Sequence, residues 1–170
     1  MRTEIGLAAA LLLSACGSGK TQSKLPVVAD GAKADQIIVD KSDRSIVLYA
    51  NGKEIARYTD IKLGDAPVGH KQFEGDEKTP EGSYTINGRN PKSSYHLSLR
   101  VSYPNATDRA YAKAKGRSPG GDIFIHGQPN MSPLDRLSRD WTDGCIAVSN
   151  AEVKQIWKLV PDGAKIVIRP

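Results

Sequence analysis

Two residues have the types and spacing for thiol chemistry. Cys145 stands in DWTDGCIAVSN, residues 140–150, directly after a glycine and ahead of small apolar residues. His126 stands just before the closing glycine of GDIFIHG, residues 121–127. A cysteine becomes a catalytic nucleophile when it is ionised or has a base beside it, and the oxyanion it generates needs hydrogen-bond donors. Side chains alternate along a strand. If GDIFIHG and GCIAVS are neighbouring strands, His126 can meet Cys145 across them, with Cys145, Ala147 and Ser149 on one face. Gly144 lets another backbone approach closely, and the amides around Gly144 and Cys145 are candidates for an oxyanion hole. A lone cysteine is also commonly a buried small hydrophobe, and spacing alone leaves both readings open. The order does discriminate: papain-like enzymes place the cysteine first and the histidine far downstream, whereas here the histidine comes first and close.

The compartment bears on the thiol. MRTEIGLAAALLLSAC begins with one basic residue, Arg2, and continues with an apolar run from Ile5 to Leu13. That run is too short to span a bilayer and suits the core of a signal peptide, expected over residues 1–15. Its end, LSAC, resembles a bacterial lipobox, which implies cleavage before Cys16 and lipid on the Cys16 thiol. Residues 16–35 then read as the lipidated cysteine and a flexible tether rich in Gly, Ser, Lys and Ala, reaching about 60 Å when extended. Gly17, rather than Asp, follows Cys16, which by the same resemblance favours the outer membrane facing the periplasm. With Cys16 lipidated, the other of the two cysteines in the 170 residues has no internal partner. An unpaired cysteine in an exported protein flags a reactive thiol.

The net charge is +5 and the pI about 9.2. The basic residues are scattered, without a dense cluster or interleaved aromatics, which argues against nucleic acid as a partner. A basic surface suits an acidic extracellular polymer. EGDEKTPEGS is acidic but lacks the calcium-loop spacing, so no metal is expected there.

The elements that must position the pair are mostly strands. QIIVDK and RSIVLYA alternate and are joined at Ser42-Asp43; Asn51-Gly52 is a type I′ turn signal leading into KEIARYTDIKLG. A loop dense in Gly, Pro and charge follows, then strands in SYTING, HLSLRVSY, GDIFIHG, GCIAVS and AKIVIRP. DRAYAKAKG reads as a short helix ending at Gly116, and SPLDRLSRD as another short helix. AEVKQIWKLV places Val153, Ile156, Trp157 and Val160 on one core-facing helical stripe, with Asn150 as the expected N-cap. The result is one mostly-β domain over residues 36–170, a sandwich of mixed sheets with two or three short helices. His70 is expected in a solvated loop, His96 at the surface, and Trp141 as a water shield or plain packing. Tyr103, Pro104 and Asn105 form a turn.

Several segments together resemble the L,D-transpeptidase catalytic domain of the YkuD type: KTPEGSYTI, SLRVSYPN, PGGDIFIHG and DWTDGCIAVSN. The resemblance implies a β-sandwich, no cofactor, and peptidoglycan stem peptides as substrate, attacked beyond the L-centre of the third residue. It makes Cys145 the nucleophile and His126 the base, with Thr142, Asp143, Gly144 and Gly127 at oxyanion- or substrate-binding positions. Where that pattern has a histidine before Gly-Cys, this chain has Asp143. Where it has an arginine two residues after the cysteine, this chain has Ala147. The missing arginine weakens the grip on a substrate carboxylate, so hydrolysis of stem-peptide or protein-to-peptidoglycan amides rivals transfer. Wall binding without catalysis is a third reading.

Overall fold

The structure is a computed structural model that describes residues 24–170; the signal-peptide and Cys16 readings fall outside the described residues. Eight strands form one mixed sheet in the order β3-β2-β1-β8-β4-β5-β6-β7. They are β1 Gln36–Asp40, β2 Ser45–Ala50, β3 Lys53–Thr59, β4 Gly82–Asn90, β5 Ser98–Val101, β6 Phe124–His126, β7 Ile146–Ala147 and β8 Lys165–Arg169. The Asn51-Gly52 turn joins β2 to β3 with φ of 51° and 75° at its central residues, as a type I′ turn requires. Parallel pairing occurs at β1/β8 and β6/β7, and the other neighbours are antiparallel.

The sheet turns at β4. Its first half, Gly82–Thr85, pairs with β8 and its second half with β5. Both halves feed a single core: Ile37, Ile46 and Leu48 from one side, Leu99, Ile125 and Ile146 from the other. Residues after β3 then reach the far edge. The Lys62 amide donates to the Ala147 carbonyl and the Ala147 amide to the Lys62 carbonyl, both at 2.8 Å. The curled sheet is thereby nearly closed, and β7, only two residues long, is held on both sides.

Two helices complete the domain, α1 Ala106–Ala114 and α2 Asn150–Leu159. In α2, Val153, Ile156 and the following Val160 are fully buried and Trp157 packs partly against the core, each large apolar residue contributing roughly 1.5–3 kcal/mol. The N-cap is Ser149, not Asn150. Ser149 Oγ accepts the Glu152 amide at 3.2 Å while the Ser149 amide donates to Glu152 Oε2 at 2.8 Å, a reciprocal capping box. Asn150 instead accepts the Gln128 amide on Oδ1 at 2.8 Å, tying α2 to the chain leaving β6.

Two further expectations are corrected. SPLDRLSRD is not helical. Its groups are drawn to separate anchors: the Leu137 amide to Gln128 Oε1 at 3.0 Å, Arg136 to the Asp60 carbonyl and to Glu152, and the Asp140 carboxylate to the Leu63 amide at 2.8 Å. Nor is the tether free as far as residue 35. From Pro26 onward it lies on α2. Gln155 Nε2 donates to the Pro26 carbonyl at 2.8 Å, Lys33 Nζ to the Lys158 carbonyl at 2.7 Å and the Ala34 amide to the Leu159 carbonyl at 2.8 Å. Ala34 is fully buried, with Val28 and Ala32 packed beside it. These small apolar residues, spaced among polar ones, carry too weak a periodic signal to be read as docking.

Candidate active site

The pairing of β6 with β7 sets the geometry. His126 lies beside Ala147 in parallel register, and Cys145, two residues before Ala147, shares its face. Both side chains line one cleft of about 500 Å³, together with Tyr95, Ser98, Asp122, Trp141, Thr142 and Asp143. The turn before the cysteine is built by Thr142, which is buried. Its Oγ1 donates to the Cys145 carbonyl at 2.8 Å and accepts the Gly144 amide at 3.2 Å. Gly144 has φ 126°, and a Cβ there would stand 2.5 Å from the Lys78 carbonyl oxygen. Only glycine lets the turn press against Lys78 in that conformation.

Two expected roles change. The Gly144 amide is engaged by Thr142, so an oxyanion hole in this segment would rest first on the Cys145 amide. Gly127 is buried behind His126 and is not part of the cleft lining. A Cβ on it would meet Asn150 Oδ1 at 2.4 Å. What Gly127 supplies is its carbonyl, 2.7 Å from His126 Nδ1. A carbonyl oxygen can only accept, so Nδ1 carries the hydrogen and Nε2 is left as the basic nitrogen.

Electrostatics favour a neutral resting pair. Burial lowers the His126 imidazole to about 4, against the opposing pull of the Gly127 carbonyl. Burial raises the Cys145 thiol to about 11; the Phe124 amide and Lys71 favour the thiolate, Asp143 and Asp122 oppose it. The thiol hydrogen points to the Asp122 carbonyl at 3.5 Å. At neutral pH, then, the pair is thiol and imidazole, and the proton moves as attack occurs. A pre-formed thiolate–imidazolium pair would alkylate at a constant rate from mildly acidic pH upward. Here the rate of Cys145 alkylation by iodoacetamide should instead climb about tenfold per pH unit through neutrality, following the thiolate fraction. A flat profile between pH 5 and 8 would contradict the neutral pair.

Comparison with known proteins gives the lineage. Residues 34–168 match the family described as the YkuD L,D-transpeptidase catalytic domain. The chain belongs to that family. It is 30% identical to YafK of Escherichia coli strain K12, whose L,D-transpeptidase name is provisional, over 98% of this chain and 67% of YafK. Among solved structures it resembles the helical cell shape determining protein Pgp2 of Campylobacter jejuni, with TM-score 0.63, 29% identity, 81% of this chain and 48% of that one covered. An L,D-transpeptidase of Mycobacterium smegmatis shares the fold at 14% identity and TM-score 0.53, covering 81% of this chain and 59% of that one. The chain thus spans about two thirds of the length of YafK and about half that of Pgp2.

Within this YkuD domain the two departures have definite settings. Asp143 is exposed at the cleft mouth. It also lines an adjoining cavity with Asp122, Lys71 and Arg100. Ala147 is fully buried and bridged to Lys62, so an arginine there would have to bury its charge. His70 keeps part of its ring in solvent and does not line the cleft. Its Nδ1 accepts the Glu81 amide at 2.9 Å and its Nε2 reaches Asp108 at 3.2 Å, which clasps the loop before β4 to α1. His96 is half-buried. The acidic stretch is organised by Asp76, whose carboxylate takes Lys71 Nζ at 2.8 Å and the Gln72 amide at 2.7 Å.

The sequence reading missed Tyr95, Ser98 and Asp122. Ser98 was legible in principle, since β5 pairs it directly with His126. Tyr95 and Asp122 come from loops whose path no periodicity records.

Proposed function

We propose that this domain is a peptidoglycan L,D-acyltransferase acting through a Cys145 thioester. The observation that carries the reading is the shared cleft of Cys145 and His126, with Nδ1 held by a carbonyl so that Nε2 is the base. His126 Nε2 takes the Sγ proton as sulfur attacks the carbonyl carbon of the third stem-peptide residue. The oxyanion is held by backbone amide hydrogen. Collapse expels the amine of the following D-residue, which takes the proton back from His126, and leaves a thioester. An acceptor amine then attacks the thioester, gives its proton to His126, and the thiol is restored. Water in place of the amine yields a free acid.

That second outcome has its own support in Asp143 at the cleft mouth, which repels a carboxylate, and in the buried alanine at position 147. Transfer remains the first reading because the family match extends through the whole domain. Product partition decides between them. The domain is incubated with a purified tetrapeptide muropeptide and excess amine acceptor, and the products are read by mass spectrometry. The expected majority product is the new amide; free acid as the majority would assign a hydrolase, and no product at all would leave a wall-binding domain.

The same reading places the enzyme in the periplasm, carried on a membrane by lipid on Cys16, with remodelling of the wall and cell shape as its setting. Cys16→Ser should release the protein into the soluble fraction of lysed cells. A variant that still sediments with membranes would place the anchor elsewhere.

A further inference from the structure

His126 is held by more than its hydrogen bond. The Tyr95 ring lies 4.7 Å from the imidazole, centroid to centroid, tilted by 37°. The Trp141 ring lies 5.5 Å away at 71°, edge against face. The two aromatic rings touch each other at 5.7 Å. Each is also tied by its backbone to the chain around the site. The Tyr95 carbonyl accepts the Gly127 amide at 3.0 Å, and the Trp141 amide donates to the Leu63 carbonyl at 3.3 Å.

Among the described residues, the Trp141 indole Nε1 is buried without a hydrogen-bond partner. A buried donor left unpaired is unfavourable, and a tryptophan placed for its N–H would have found an acceptor. The ring packs on His126 and Tyr95, and no protein group holds its N–H.

The histidine needs such support. In a serine-protease triad a carboxylate fixes the imidazole through a charge-assisted hydrogen bond. Here Nδ1 faces a neutral carbonyl, a weaker restraint on ring rotation. We propose that Tyr95 and Trp141 are positioning residues that clamp the His126 imidazole from two adjoining sides in a three-ring cluster, supplying the orientation that a triad carboxylate supplies elsewhere. The clamp acts through ring volume and not through the tyrosine hydroxyl or the indole N–H. Any planar apolar ring of similar size should therefore serve, and a flexible aliphatic side chain should not.

The inference rests on the proposed role of His126 as the base, so its test has one arm that needs no substrate. Tyr95→Phe, Tyr95→Leu, Trp141→Phe and Trp141→Leu are made in the full chain. In the first arm, nitrogen NMR of ¹⁵N-histidine-labelled protein reads the His126 tautomer. Wild type and both Phe variants should show the single Nδ1–H form, and both Leu variants an averaged ring. In the second arm, turnover of the muropeptide should lose about tenfold or more in kcat in the Leu variants, as small displacements of a base do, with KM within about twofold; the Phe variants should retain most of it. A fixed tautomer in the Leu variants overturns the clamp whatever kcat does, and so do Phe variants that fall as far as Leu. Wild type inert toward every muropeptide would refute the base role, and the tautomer arm would then decide the clamp alone.

Discussion

Replacing Cys145 with alanine should abolish acyl transfer while leaving the domain folded. Its side chain opens into a cleft and contributes little to the core, and the turn that carries it is held by Thr142 and Gly144 rather than by the sulfur. The melting temperature should therefore stay near that of wild type. Covalent chemistry has no substitute: without a sulfur there is no thioester, and the remaining donors do not attack a carbonyl. Incubation with a muropeptide should yield neither amide nor acid, and mass spectrometry of the intact protein should show no acyl adduct. A variant with wild-type turnover would sink the enzyme reading as a whole.

The second large effect is expected at His126. General-base assistance accounts for about 10²–10⁴ in rate, so His126→Ala should lose that much in kcat. The neutral resting pair makes the loss severe, because a thiol raised to about 11 is almost wholly protonated at pH 7. The same residue governs acid sensitivity. Its folded pKa of about 4 lies below the ordinary value of 6.5. The unfolded chain binds a proton at His126 throughout that window and the folded one does not. This contribution to stability is complete above pH 6.5 and is lost as the pH falls to 4, amounting to roughly 3 kcal/mol. Wild type should melt progressively lower across that range, and His126→Ala should show a visibly shallower decline. Equal slopes for the two proteins would mean that the imidazole is not held neutral.

Much of the fold was legible because strands buried on one side print a two-residue period. QIIVDK and AKIVIRP became β1 and β8 that way, RSIVLYA became β2 through its β-branched run, buried on both faces, and the Val153–Ile156–Val160 stripe became the buried face of α2. The Cys145–His126 pairing was legible for the same reason: a shared face follows from alternation once the strands are neighbours. What was not legible came from side-chain bonds across long sequence distances. Nothing local in SPLDRLSRD tells that Gln128 and Asp60 will take its donors, and nothing near Ser149 distinguishes it from Asn150 as a cap until the Gln128 amide claims the asparagine. Which of the Gly144 and Cys145 amides is free turns on an equally small matter, one threonine hydroxyl that takes the Gly144 amide. Roles that depend on a single hydrogen bond are decided by ångström-scale placement, which residue type and spacing do not encode.

The docking of residues 26–35 on α2 has a consequence for where such an enzyme can work. If Cys16 carries the membrane anchor proposed above, ten residues at most separate it from the docked chain at Pro26. Fully drawn out, that leash spans about 30 Å, half of what the undocked length would allow. The working radius of the cleft is then set by this short leash plus the domain's own width. The enzyme would sample a thin shell of wall just above the membrane surface. Which strands of the polymer it meets would depend on their height above the lipid.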